Sequence, residues 1–299
     1  MTTHTRAALL MLGSTVFFGL MAVAIRLASE TLHTFEIAFF RNFFGLAAAL
    51  PLLLRHGSGL LRTTQLPRYV VRCVVGVLSM FCGFWAIGHL PLAHAVSLSY
   101  STPLFVTIAA VWFLHEQVRA RRWAAVIVGF IGVLVIVRPG SATFSAGSLV
   151  ALSAAVLSGI VSIQIKQLSH TEPADRIVFY TTLLWVPLSL APALFVWEWP
   201  RGIAWVWVIA AGFLGTGGHM LWTRALKLGD VSALTPISFM QLPLVAVFGW
   251  LLFGEGLDRW TVLGAMIIFS ANAYIAHREA QLARRAESSA PVAAVKPGE

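Results

Sequence analysis

Two stretches decide the fold: GLMAVAIRLASETLHTFEIAFFR (residues 19–41) and GIVSIQIKQLSHTEPADRIVFYT (residues 159–181). Laid over one another at a shift of 140 with no gap, Gly19, Ile25, Ser29, Thr31, Ile37 and Phe39 meet Gly159, Ile165, Ser169, Thr171, Ile177 and Phe179. Arg26 meets Lys166 in the same frame. Further along, LPLAHAVSLSYSTPLF (90–105) matches LGDVSALTPISFMQLP (228–243) at an offset of 138, and Glu116 meets Glu255 at 139. Any one of these similarities between apolar segments is weak. Their shared order and nearly constant offset indicate a duplication, with a first repeat over 1–140 and a second over 141–280. Residues 281–299 (QLARRAESSAPVAAVKPGE) read as a small, polar, disordered tail.

The surroundings of these stretches name the solvent. Of 299 residues, 58% are hydrophobic and only 11% charged, against about a quarter charged in soluble domains. With a mean hydropathy of +0.82, the chain has too little polar surface to face water all round, so lipid is its solvent. Charge-poor runs predict ten spanning helices near 7–28, 34–54, 69–88, 92–114, 122–138, 145–167, 175–196, 203–225, 230–253 and 259–278. The first run follows Arg6 much as a signal peptide follows its basic start. It carries no Ala-x-Ala-type cleavage site, which fits a retained span.

Basic residues orient the spans. With the N-terminus in the cytoplasm, sixteen of the 21 Lys and Arg residues, Arg72 among them, fall on the cytoplasmic side and three (Arg138, Arg201, Arg259) outside. Arg26 and Arg41 lie within spans. This is the positive-inside pattern, with both termini cytoplasmic in a bacterial inner membrane. The net charge of +9 is therefore a topology signal and needs no nucleic acid. Five spans per repeat is an odd number, so the halves enter the membrane with opposite orientation. Inverted repeats of this kind are a transporter architecture with a central site between the halves.

Metal and cofactor chemistry find no foothold. Cys73 and Cys82 are nine residues apart in one helical run, on opposite faces and roughly 13 Å apart, too far for a disulfide. There is no zinc spacing, phosphate-binding loop or nucleophile elbow, and no nucleophile–base pair for an intramembrane enzyme. The partners implied are the lipid bilayer and a small-molecule substrate; the sequence is compatible with a monomer and does not fix the oligomeric state.

The segments AVSLSYSTPLFVTIAAVWFLHE (95–116) and ALTPISFMQLPLVAVFGWLLFGE (233–255) repeat a pattern of small residues, proline, apolar run and glutamate. A span starting at Trp123 or Trp260 follows each. Over residues 7–278 the chain thereby resembles the drug/metabolite transporter superfamily in its ten-helix EamA-type form, and within it the aromatic amino-acid exporters of the YddG type. The resemblance implies an all-α basket of spans 1–4 and 6–9 around a cavity, with spans 5 and 10 peripheral, and export from the cytoplasm.

Polar residues are costly in hydrocarbon, so within spans they tend to face a cavity or a partner helix. Ser97, Tyr100 and Thr107 fall on one stripe of the fourth span with Pro103, and Thr235, Ser238 and Gln241 on one stripe of the ninth beside Pro243. An offset of 138 pairs Ser97 with Thr235 and Tyr100 with Ser238. These stripes read as hydrogen-bonding walls of a substrate site, against the plainer reading that the hydroxyls bond backbone. Gln164 and His219 are further polar candidates, and Phe81, Trp85 and Trp185 are candidate aromatic walls. Pro103 and Pro243 kink their spans as candidate gating hinges. Arg26, Glu36 and Arg41 read as a structural charge cluster, with substrate-carboxylate binding by Arg41 as the alternative.

The function expected is alternating-access export of small amphipathic metabolites, above all aromatic or apolar amino acids. No Asp or Glu lies mid-span, so neither carboxylate-based proton coupling nor efflux of lipophilic cations is favoured.

Overall fold

The computed structural model describes residues 3–56, 63–114, 120–141, 144–169, 171–228, 234 and 237–289. Among the described residues it is all-helical: α1 (Thr3–Ala28), α2 (Thr34–His56), α3 (Leu66–His89), α4 (Leu92–Ser99), α5 (Thr102–Leu114) and α6 (Ala120–Val137) in the first half. The second half holds α7 (Ala146–Ser169), α8 (Ala174–Ala193) with a 3₁₀ turn Leu194–Val196, α9 (Ala204–Leu228), α10 (Gln241–Phe253) and α11 (Arg259–Ser289). Eight runs are long and apolar enough to cross a membrane, counting α4 and α5 together. The 23-residue α2, about 34 Å long, and the shorter α10 with the turn before it complete ten crossings.

The packing repeats the duplication. α1 packs antiparallel on α9 and α7 on α3; α2 meets α9 as α8 meets α3; α6 packs on α11 and α2 on α8. Exchanging the halves maps each of these contacts onto another or onto itself, as an inverted repeat requires. The α6–α11 crossing is close because neither helix has a side chain there. A Cβ at Gly132 would lie 2.8 Å from the Gly264 carbonyl, and one at Gly264 2.5 Å from the Gly132 carbonyl.

One end of the bundle holds the N-terminus, the start of α3, the end of α7 and the end of α9. At the other end the halves are tied by charge. Arg26 donates to the Ile87 and Gly88 carbonyls and pairs with Glu255 at 3.3 Å. Gly254, at φ +64° in the left-handed region, turns the chain after α10 and lets the second Glu255 oxygen accept from the Leu92 amide at 2.7 Å. Arg138 pairs with Asp258 at 2.9 Å. An aromatic cluster of Phe39, Phe40, Trp197 and Trp205 closes the same end.

Three expectations change. The fourth span is two helices, broken at Tyr100 and Ser101. Four hydroxyls bond backbone carbonyls there, Ser97 to Ala93, Ser99 to Val96, Ser101 to Leu98 and Thr102 to Ser99, and so compete with the helical ladder. The tail is helical as far as Ser289 rather than from Gln281 onward irregular. Arg278 and His277 both bond Gln281, and Gln-Leu-Ala-Arg-Arg-Ala-Glu is built of good helix formers. Arg72, counted with the loops by charge, is 6% exposed inside α3, its guanidinium bonded to Thr181 of α8.

Candidate functional site

A cavity of about 500 Å³ lies between the halves, in the part of the bundle nearer the N-terminus. Both halves line it. From the first come Met11, Ser14, Thr15 and Phe18 of α1, Ser99, Tyr100, Thr102 and Pro103 around the helix break, Thr107 of α5 and Arg122 of α6. From the second come Ser162 of α7, Trp222 of α9, Ser238, Gln241 and Ile275. Half of the sixteen lining residues carry a hydroxyl, beside the rings of Phe18, Tyr100 and Trp222, one guanidinium and, among the described residues, no acid. Such a surface offers donors and acceptors to a polar tail and flat faces to a ring.

Its floor is the break between α4 and α5 laid against the corresponding break before α10. Tyr100 and Phe239 stack there, ring centroids 4.1 Å apart. The Tyr100 hydroxyl donates to the Ser238 carbonyl at 2.5 Å and to Gln241 Oε1 at 3.2 Å. Asn272 Nδ2 of α11 donates to the Tyr100 carbonyl at 2.8 Å, satisfying an acceptor that the broken helix frees. Because α5 begins at Thr102 and α10 at Gln241, the breaks are 139 residues apart, and the match of Tyr100 is Phe239 rather than Ser238.

Of the residues expected at the site, Tyr100, Pro103, Thr107, Ser238 and Gln241 line the cavity. Ser97 does not: it is 2% exposed and its hydroxyl turns back to the Ala93 carbonyl, the plainer reading. Thr235 lies outside the described residues. Pro103 and Pro243 sit in the first turns of α5 and α10, where a missing N–H breaks no ladder bond, so they start half-helices instead of kinking continuous ones. Gln164 belongs to a second cavity of about 530 Å³ between α3 and α7, with Arg68, Val71 and Gln167. Phe81 packs on Phe35, ring centroids 4.7 Å apart, and Trp85 stacks on His89 at 4.2 Å, both toward the charge-tied end. His219 is exposed, one turn from Trp222, and packs edge-on against Phe18 at 5.0 Å.

Arg26, Glu36 and Arg41 do not form one cluster. Arg26 pairs with Glu255. Glu36 accepts from the amides of His33, at 2.9 Å, and Glu198, capping α2 and holding the α8–α9 connection. Arg41 stays alone among neutral groups: Asn42 Oδ1 at 3.0 Å and the Trp185 ring, 5.9 Å from its Cζ. The reason is spacing. Arg26 lies near the end of α1, whereas Arg41 lies two turns into α2, past the reach of either acid.

Residues missed by sequence reasoning are Met11, Ser14, Thr15 and Phe18, though their i, i+3, i+4, i+7 spacing is a legible helix stripe. Arg122 counts with the basic residues that orient the spans and Trp222 stands alone near the end of its span, so neither gives such a signal. At the N-terminal end, burial opposes ionisation of Glu172, but the Thr63 hydroxyl at 2.5 Å and Arg176 at 2.7 Å more than offset it and hold the carboxyl below its usual range.

An all-helical, multi-pass membrane protein of two inverted five-span repeats, with discontinuous helices meeting at a central cavity, has the architecture of a secondary transporter. The model of the EamA-like transporter family matches the chain twice, at residues 5–138 and 145–276, and the protein belongs to that family. It is 30% identical over 258 residues to the S-adenosylmethionine uptake transporter of Rickettsia felis, covering 86% of this chain and 88% of that one. It is 32% identical over 227 residues to the riboflavin transporter of Vibrio cholerae (75% and 76% covered) and 33% identical over 264 residues to the pseudopaline exporter CntI of Pseudomonas aeruginosa (85% and 90% covered). A solved crystal structure of a protein 22% identical superposes with a TM-score of 0.64 over 95% of this chain and 99% of that one, which speaks to the fold.

Proposed function

We propose that the protein is a carrier, not an enzyme, that moves small amphipathic metabolites bearing a flat ring across the bacterial inner membrane by alternating access. Both termini face the cytoplasm in this reading, so the cavity is loaded or emptied from inside while the Arg26–Glu255 tie keeps the outer end shut. The observation that carries it is the cavity itself: about 500 Å³, built by both halves at their paired breaks. That volume suits ligands of drug size, for which pockets run from about 300 to 1,000 Å³. Aromatic amino acids belong to this class. The relatives' named cargoes, riboflavin and S-adenosylmethionine, are larger molecules of the same flat-ring, polar-tail kind, and we place the preferred solute nearer their size.

Since no acid lies mid-span among the described residues, transport follows the solute's own gradient, giving net export of whatever the cell makes in excess. Lipophilic-cation efflux fits poorly beside Arg122. The test is counterflow in proteoliposomes with tryptophan, alanine, riboflavin and S-adenosylmethionine. Ring-bearing solutes should exchange and alanine should not. Gln241→Ala should cut the rate about tenfold, the worth of one or two hydrogen bonds. Flux that persists only with a pH gradient, or equal flux of alanine, would sink this reading.

A further inference from the structure

Arg41 is an arginine two turns inside α2, only 6% exposed, and it has no carboxylate partner among the described residues. Arg26, Arg138 and Arg176 each have one. Its Nη1 donates to Asn42 Oδ1, Asn42 Nδ2 donates to Ser189 Oγ at 3.2 Å, and Ser189 donates to the Trp185 carbonyl at 2.6 Å, so the guanidinium is positioned by a chain of neutral groups. Its Nε is buried with no hydrogen-bond partner, and so is Nε1 of Trp185, whose ring the guanidinium overlies. Two buried donors, one on the cation and one on the edge of the indole it overlies, lack an acceptor. A buried charge of this kind is costly unless something of opposite sign meets it.

The fold makes room for that charge between α2 and α9. A Cβ at Gly215 of α9 would lie 2.7 Å from Arg41 Nη2 and 2.8 Å from Met21 Sδ, so only glycine lets the guanidinium lie there. Gly215, His219 and Trp222 follow one face of α9. Trp222 lines the cavity, His219 is exposed one turn deeper, and Gly215 lies one turn deeper again, about 10 Å from Trp222 along the axis. On α1, Phe18 lines the cavity and Met21, one turn on, touches the Gly215 position. His219 also lies within the field of both Arg41 and Arg72.

We propose that Arg41, with the Nε1 donor of the Trp185 indole it overlies, is an anion subsite deeper in the bundle than the residues that line the cavity, and binds the carboxylate of the carried solute while the solute's ring stays among Phe18, Tyr100 and Trp222. The proposal rests on the carrier reading above and narrows its substrate class to ring-bearing carboxylates. A planar guanidinium fork matches a carboxylate, and charge-assisted hydrogen bonds are about twice as strong as neutral ones.

Binding by the purified full-length protein in detergent, followed by thermal stabilisation, tests it with three probes: indole-3-acetate, indole-3-acetamide and acetate. Wild type should prefer indole-3-acetate to the amide by about ten- to hundredfold, and Arg41→Gln should bring that ratio close to one. Arg41→Lys should keep part of the preference. Trp185→Phe, which keeps a ring but loses the donor, should lower the ratio severalfold and serves if Arg41→Gln does not fold. A merely structural Arg41 would lower stability without changing the ratio. No preference in wild type, a ratio untouched by Arg41→Gln, or equal stabilisation by acetate alone each overturns the subsite. Gln241→Ala should weaken both indole probes equally; if it weakens neither while the Arg41 ratio holds, the cavity reading fails and the subsite stands.

Discussion

Tyr100 in the fourth span and Phe239 in the ninth occupy matched positions, two residues before the half-helices α5 and α10 begin, each followed by a first-turn proline. They stack on one another at 4.1 Å, so the point where the duplicated halves meet is a pair of duplicated rings. Their surroundings differ. Tyr100 has a hydroxyl that reaches the Ser238 carbonyl and Gln241, and its own carbonyl takes a bond from Asn272. The side chain of Phe239 brings no polar group and packs on Phe269 with centroids 4.6 Å apart. A second matched pair repeats the lesson. Gly76 and Gly215, 139 residues apart, both clear space between helices, but an indole (Trp185) fills the one and a guanidinium (Arg41) approaches the other. Duplication supplies a symmetric frame. The polar groups hung on one side of it give a solute an orientation.

Removing the shared part should have the largest effect. Tyr100→Ala or Phe239→Ala deletes half of the stack at the interface of the halves, and loss of a packed aromatic costs about 3–5 kcal/mol. Both variants should show a large fall in thermal midpoint in detergent, with Tyr100→Ala the worse because its hydrogen bonds go too. If either variant melts with wild type, the stack does not hold the halves together, and the comparison loses its centre.

The frame was legible and the orientation was not, for a physical reason. Span count and inversion follow from apolar length, from the odd number of spans per repeat and from the offset near 139, all of which survive in a linear string; the two breaks did not, because their prolines read as kinks within continuous spans. Tyr100, Ser238 and Gln241 could be found because a hydroxyl or amide in hydrocarbon needs an excuse. Which face of a span looks inward leaves no such trace when lipid on the other side is as apolar as a helix partner. Phe81, Trp85 and Trp185 read alike, and only Trp185 faces a charge. Ser97 met its needs locally at Ala93, which no pattern distinguishes from a hydroxyl turned to a cavity. Gly215 matters for a side chain it lacks.

The glycine pair gives the next largest effect. In Gly215→Ala the new methyl meets Arg41 Nη2, Nε and Met21 Sδ at 2.7, 3.0 and 2.8 Å, and the guanidinium is held on its other side by Asn42 and Trp185. Overpacking of this sort costs about 1–3 kcal/mol. In Gly76→Ala the methyl meets only the edge of the Trp185 ring at 3.2 Å, and a shift of a few tenths of an ångström relieves it. Thermal midpoints should therefore fall more for Gly215→Ala than for Gly76→Ala, and transport should follow the same order. The reverse order would mean that the guanidinium is mobile and the indole rigid.

Tyr100→Phe is the smallest change and the most pointed, because it makes the matched pair identical. The ring stack is kept, and only the hydroxyl that favours one side is lost. One neutral hydrogen bond contributes about 0.5–1.5 kcal/mol net, so the thermal midpoint should drop slightly, well short of Tyr100→Ala. Transport should fall further than that loss of stability explains, since Gln241 Oε1 is no longer oriented toward the floor of the cavity. The double variant Tyr100→Phe/Gln241→Ala decides how. If the hydroxyl acts by positioning Gln241, the two losses in transport are strongly non-additive, with a coupling of at least about 0.5 kcal/mol. If it acts only by tying the Ser238 carbonyl, they add. Full activity in Tyr100→Phe would show that the one hydroxyl separating the two spans has no part in binding, and the asymmetry of the site would then rest on Arg41 alone.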